Sequence, residues 1–393
     1  MSNPTSALDI DALLDDRRIR IIVCCGSGGV GKTTTSAALA LRAAERGRKV
    51  VVLTIDPARR LAQSMGIEQL DNTPRPVPGV SRLADARTST TGSTGSLDAM
   101  MLDMKRTFDE VVLSQASPEK AQQILQNPFY IALSSSFAGT QEYMAMEKLG
   151  QLHRDAQRSG AYDLIVVDTP PSRSALDFLD APERLSSFLD GRFVKMMLAP
   201  ARGPARLMSA GFAMVTGALS KVLGGQFLKD LQTFVSALDT VFGGFRARAQ
   251  QTYALLQARG TAFLVVAAPE DDALREAAYF VERLQGDRMP LAGLVVNRAT
   301  MSGHSDLSVA AATAASERLA ATGRDSAGVT AGLLRIHADR ERLVERQRTL
   351  RERFAAAHPQ VPAIVVPALA GDVHDLDGLR AVGRLLAETA VER

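Results

Sequence analysis

Ile19-Arg20-Ile21-Ile22-Val23-Cys24-Cys25-Gly26-Ser27-Gly28-Gly29-Val30-Gly31-Lys32-Thr33 is the stretch on which the fold turns. Its first half, Ile19–Cys25, is a short β-branched run without alternation, which predicts a strand buried on both faces. Its second half matches GxxxxGK[ST], and the Ala- and Leu-rich segment Lys32–Arg46 that follows predicts a helix. Glycines in such a loop let successive backbone N–H groups turn inward around phosphate oxygens. The helix N-terminus adds positive potential at the same place. Lys32 is then placed to reach the β- and γ-phosphates of a nucleotide, and Thr33 to put its hydroxyl on Mg²⁺. Cys24 and Cys25 are adjacent, a spacing that makes neither a CxxC redox pair nor a metal site, and read as buried core thiols.

Working outward, five further short runs read as buried parallel strands: Lys49–Ile55, Tyr162–Asp168, Ala262–Ala268, Leu291–Asn297 and Ala363–Pro367. Helical stretches separate many of them, among them Asp271–Leu284 with its acidic first turn. This alternation predicts an α/β fold, a doubly wound and mainly parallel sheet. Ser81–Ser96 reads as a flexible loop. Leu97–Leu152 and Phe178–Arg259 read as helices without strands between them, a helical subdomain inserted into one domain that spans residues 1–393. Thr300–His358 reads as further surface helices. Nine of the 13 methionines fall between Met100 and Met214, as Met100-Met101-Met104, Met144-Met146, Met196-Met197, Met208 and Met214. Flexible thioethers suit either an ordinary helical core or a groove that accepts varied apolar partners.

The net charge of +3, from 46 basic and 43 acidic side chains, gives no reason to expect a nucleic-acid partner. The acidic N-terminus lacks an apolar signal region, and the longest apolar stretch, Leu207–Ser220, is too short to span a bilayer. Together with the cysteine usage this predicts a cytoplasmic protein.

Two carboxylates close predicted strands. Asp56 follows Thr54-Ile55 and Asp168 closes Leu164-Ile165-Val166-Val167, and the C-terminal edge of a parallel sheet faces the ligand crevice. Asp168 has the pattern of the acidic residue that binds Mg²⁺ directly or through water.

GSGGVGKTTTSAALA, TIDPARRLA, DLIVVDTPPSRSALDFL, VVNR and VPALAGDVHDLDGL occur in the order found in ArsA-type ATPases. The chain resembles that family over nearly its whole length. The family includes the arsenite-pump ATPase and the ATPase that targets tail-anchored membrane proteins, and sits with MinD and ParA in the deviant Walker A class. The resemblance implies a P-loop ATPase that binds ATP and Mg²⁺ and works as a dimer. It implies that Gly28, Gly29, Val30, Gly31, Lys32, Thr33 and Thr34 hold the nucleotide, with Asn297 at the adenine edge and Pro367 against the base. It implies that Asp56 orients the attacking water beside Lys32, and that Thr33, Asp168 and Asp56 serve the metal.

The chain also departs from the family. Ser27 stands where the class carries a signature lysine that crosses the dimer interface. Arg59 stands for the histidine after DPA, and Arg173-Ser174 for Gly-His. There is no CxxC pair, so no zinc is expected, and no spaced cysteines for a metalloid. The nearest likeness is to unequal, paired bacterial members. The expected function is an ATP-driven dimeric switch whose helical subdomain captures a hydrophobic or membrane-associated client. Its partner is expected to be a second copy, or a related ATPase that carries the signature lysine. The rivals are a regulatory subunit with little turnover and a positioning ATPase like MinD or ParA.

Overall fold

The structure is a computed structural model that describes residues 7–56, 60–80, 95–128, 130–131, 134, 140–170, 244–302, 306–322 and 325–388. The strands are β1 (Ile21–Cys25), β2 (Lys49–Thr54), β3 (Arg75–Pro76), β4 (Ser96–Met101), β5 (Leu164–Asp168), β6 (Thr261–Ala267), β7 (Leu291–Ala299) and β8 (Ala363–Pro367). They form one sheet in the order β3-β4-β2-β5-β1-β6-β7-β8. Every pairing is parallel except that of β3 with β4.

Helices cover both faces, as the alternating pattern predicts. They are α1 (Ile10–Asp15), α2 (Lys32–Glu45), α3 (Arg60–Ser64), α4 (Met104–Gln115), α5 (Pro118–Leu125), α6 (Thr140–Ser159), α7 (Phe245–Gln257), α8 (Asp271–Gly286), α9 (Val309–Ala320), α10 (Asp325–Ala357) and α11 (Leu376–Ala387). The period of two along each strand divides the core into two layers. Ile21, Val23 and Cys25 face the layer that holds Phe108, Leu149, Leu256 and Phe280, from α4, α6, α7 and α8. Ile22 and Cys24 face the layer that holds Leu14, Leu39, Leu61 and Leu379, from α1, α2, α3 and α11. The central strands β1, β5 and β6 are buried at every residue, which is why their sequences run apolar without alternation. Each buried aliphatic side chain contributes about 1.5–3 kcal/mol. Both cysteines are fully buried and unpaired, and burial pushes the Cys24 thiol up to about 12.

One expectation needs correction. The stretch Leu97–Leu152 is not purely helical, because β4 opens it and pairs in register with β2, Ser96 opposite Lys49 and Met101 opposite Thr54. The sequence Ser-Leu-Asp-Ala-Met-Met has no β-branched residue. Its strand conformation comes from completing the ladder beside β2 and burying Leu97, Ala99 and Met100, a tertiary effect that overrides propensity. Of the two readings left open for the methionines, the core is the one that the described methionines fit. Met100, Met144 and Met146 are fully buried in the main core, and Met101 and Met104 pack against it. Met196, Met197, Met208 and Met214 lie outside the described residues, as do residues 81–94 of the loop and most of 178–259.

The helices α6 and α7 are tied together by an ion pair. Buried Glu147 on α6 accepts two hydrogen bonds of 3.0 Å from Arg248 Nε on α7, and Arg154 stands 3.7 Å from the same carboxylate. The expected helices in Thr300–His358 are α9 and α10, packed side by side, with Ser316 Oγ donating to Ala331 O. No helix among the described residues is long and apolar enough to cross a membrane.

Candidate active site

The loop after β1 has the shape that its glycines permit. Gly26 has φ +152, and a Cβ there would stand 2.1 Å from Val266 O on β6. Gly31, with φ +91, precedes the first turn of α2, where a Cβ would meet Asn297 Nδ2 at 2.3 Å. Only glycine fits either position. Val30 drops its side chain into the core and offers the site its backbone alone. Lys32 is buried, and its ammonium donates to Ser27 O at 2.7 Å. Burial lowers its pKa, opposed by the nearby Asp168 carboxylate.

Sheet register brings the carboxylates to this loop. Cys24 on β1 and Thr54 on β2 both lie opposite Asp168 on β5, so three strand ends meet beside the loop. Asp168 Oδ2 accepts from Thr33 Oγ1 at 2.8 Å and from Thr54 Oγ1 at 3.0 Å. Asp168 Oδ1 is buried with no hydrogen-bond partner among the described residues. Burial raises this carboxyl to about 6, although both hydroxyls pull it down. A buried carboxylate with one idle oxygen beside a threonine hydroxyl fits a hard, oxygen-seeking divalent cation such as Mg²⁺. The next residue, Thr169, is anchored by its hydroxyl to Cys24 O at 2.9 Å. Pro171, Ser172, Arg173 and Ser174 lie outside the described residues.

Asp56 stands on the near wall. Its backbone N–H donates to Thr54 Oγ1 at 3.2 Å, so one hydroxyl touches both Asp168 and the Asp56 segment. Pro57, Ala58 and Arg59 lie outside the described residues.

The far wall comes from β7 and β8. Asn297 is buried, and its Nδ2 donates to Val30 O at 2.8 Å. The chain after β8 is held by Ala368 N donating to Ala299 O at 2.9 Å, and Asp375 caps α11 through Gly378 N at 2.7 Å. Gly29, Gly31, Lys32, Thr33, Thr34, Asp56, Asn297 and Pro367 thus line one crevice of about 750 Å³ at the C-terminal edge of the sheet.

A family model for anion-transporting ATPases matches residues 19–317, about three quarters of the chain. The chain belongs to this ArsA-type family. It is therefore an ATPase of the P-loop α/β class that the sequence resemblance implied. Among curated relatives, it is 26% identical over 292 residues to the ATPase GET3 of Podospora anserina, which covers 74% of this chain and 76% of the relative. It is also 26% identical over 297 residues to the ATPase GET3 of Neurospora crassa, again 74% of this chain and 76% of the relative.

Seen as an ArsA-type crevice, the site contains residues that sequence reasoning missed. Arg60, Gln63 and Ser64 from α3, Arg298 after Asn297, and the turn Leu369–His374 also line it. Arg60 and Arg298 each lie one residue beyond a motif position. That adjacency was visible, but which way the side chains face was not.

Proposed function

We propose that this chain binds Mg-ATP in the crevice and hydrolyses it as one half of a dimeric switch. The observation that carries this reading is the Thr33–Asp168 hydrogen bond of 2.8 Å with the idle, buried Asp168 Oδ1 beside it. Thr33 and Asp168 would hold the cation, which neutralises phosphate charge when bound. Lys32 would leave the Ser27 carbonyl for the β- and γ-phosphates, and the N–H groups of Gly28 to Thr34 would cradle them. Asp56 would orient the water that attacks, and Asn297 and Pro367 would bound the base.

In the dimer, ATP would bring subunits together and hydrolysis would let them open, with the inserted helices taking a hydrophobic or membrane-associated client in the cytoplasm. The resemblance to targeting ATPases and the likeness to the GET3 ATPases support this part. The neutral hydroxyl of Ser27 favours a related ATPase with the signature lysine as the partner. The same residue is the observation behind a second reading, a regulatory subunit with little turnover of its own.

Calorimetry tests the core of this reading. Lys32→Ala removes the buried cation of the loop and should weaken Mg-ATP binding by roughly a hundredfold or more. Equal affinity in the wild type and the variant would remove the phosphate site from this loop.

A further inference from the structure

We propose that Arg298 is a second phosphate-binding cation of this site, supplied from the end of β7 within the same chain. The inference rests on the proposed Mg-ATP reading and adds a residue to it.

Three observations converge on Arg298. First, its backbone lies in the left-handed region, φ 63, one of only two non-glycine residues that do so among the described residues. That conformation is unfavourable for a long side chain and persists where the surroundings impose it. The surroundings here are a break in the β7–β8 register between Val296 and Ala299. Such a break re-aims the side chain that sits in it. Second, the side chain is turned onto the phosphate loop, where Arg298 Nη1 donates to Gly29 O at 3.2 Å. Third, Arg298 lines the crevice together with Lys32, Thr33 and Asp56.

Lys32 shows what the Gly29 contact stands for. Its ammonium rests on the Ser27 carbonyl of the same loop. Both cations therefore sit against carbonyl oxygens of residues 27 and 29 in a loop built to surround an anion. A carbonyl is a weak acceptor for a guanidinium beside a phosphate, whose oxygens match the planar fork two at a time. Arg298 is exposed and lines the crevice, so its guanidinium is open to an incoming acceptor. Asn297, its neighbour, keeps the strand end fixed through its own bond to Val30 O.

The test is calorimetry with Mg-ADP and Mg-ATP at several KCl concentrations, on wild type, Arg298→Asn and Arg298→Lys, with Lys32→Ala as the control. Asparagine tolerates the left-handed backbone, so Arg298→Asn removes the charge without refolding the turn. The expected result is a roughly ten- to hundredfold loss of affinity for both nucleotides in Arg298→Asn, a flatter dependence on salt, and an unchanged melting temperature without nucleotide. Arg298→Lys should keep most of the affinity. Wild-type affinity in Arg298→Asn, while Lys32→Ala loses binding, would overturn the inference and leave the nucleotide site standing. Weakened binding with an unaltered salt dependence would also overturn it, by giving Arg298 to the base or to holding the loop shut. A wild-type chain that binds neither nucleotide would overturn the Mg-ATP reading, and this inference with it.

Discussion

Asp168 is the residue at which stability and function oppose each other. Its carboxyl is buried and raised from 3.8 to about 6, chiefly by desolvation. In the unfolded chain it ionises near 3.8, and in the folded chain near 6. Below that window both states are protonated and ionisation costs the fold nothing. As pH rises from 3.8 to about 6, the unfolded state gives up its proton first and the nucleotide-free fold loses stability. Above 6 the loss is constant, on the order of 2–3 kcal/mol. Asp168→Asn should therefore stabilise the metal- and nucleotide-free chain at pH 7.5 by that order, and by less at pH 4.5. Urea unfolding at the two pH values checks it, and equal stability of both proteins at pH 7.5 would contradict it. The same substitution should weaken Mg-ATP binding, because the buried oxygen that awaits a cation is gone. At this scale the sequence was informative where a residue is tied to the end of an element, as at Lys32, which opens α2, and at Asp56 and Asp168 beside strand ends. It was silent on Arg298, whose position depends on a register break between two strands that are far apart in sequence.

Among the elements, those with a strong local signature were readable. Six strands appear within one or two residues of where their β-branched runs place them, and α2 and α8 begin where their first turns suggest. β4 was not, because Ser96–Met101 owes its conformation to the edge of β2 and carries no strand signature of its own. The α6–α7 contact was equally hidden, since its residues are separated by the long insertion. Glu147 is 3% exposed and its partner Arg248 16% exposed, so removing the carboxylate takes a charge-assisted contact away from a mostly buried guanidinium. Glu147→Ala should cost about 2–3 kcal/mol, at the lower end for a buried pair because Arg248 keeps some solvent. Chemical denaturation measures it. A cost below about 0.5 kcal/mol would show that the fold does not depend on the α6–α7 tie.

For the whole molecule, strand order does the organising. β1 lies between β5 and β6, so the phosphate loop has the Asp168 and Asp56 wall on one side and the Asn297 and Pro367 wall on the other. Strand–helix alternation made the doubly wound sheet and its ligand edge legible, but not the strand order, and Asn297 and Pro367 were expected only from the family resemblance. The partner was not legible in that way and remains a proposal carried by Ser27. If the chain works beside a related ATPase with the signature lysine, then alone it should turn ATP over weakly, and Ser27→Lys should raise turnover by roughly tenfold or more. Phosphate release, together with the mass in solution by light scattering, decides this. Brisk turnover by a homodimer that ignores Ser27→Lys would exclude the unequal pair.

The hydroxyl of Thr54 has a consequence for which sequences this fold can tolerate. It donates to Asp168 and accepts from the Asp56 backbone, so it links the Asp168 carboxylate to the Asp56 segment. Valine would fill the same space with the same β-branched shape, and the strand would form as before. Valine there would take one donor from the buried Asp168 carboxylate and one acceptor from the Asp56 N–H, a cost to the fold as well as to the site. Position 54 is therefore a place where matching the shape of a side chain does not make a substitution conservative.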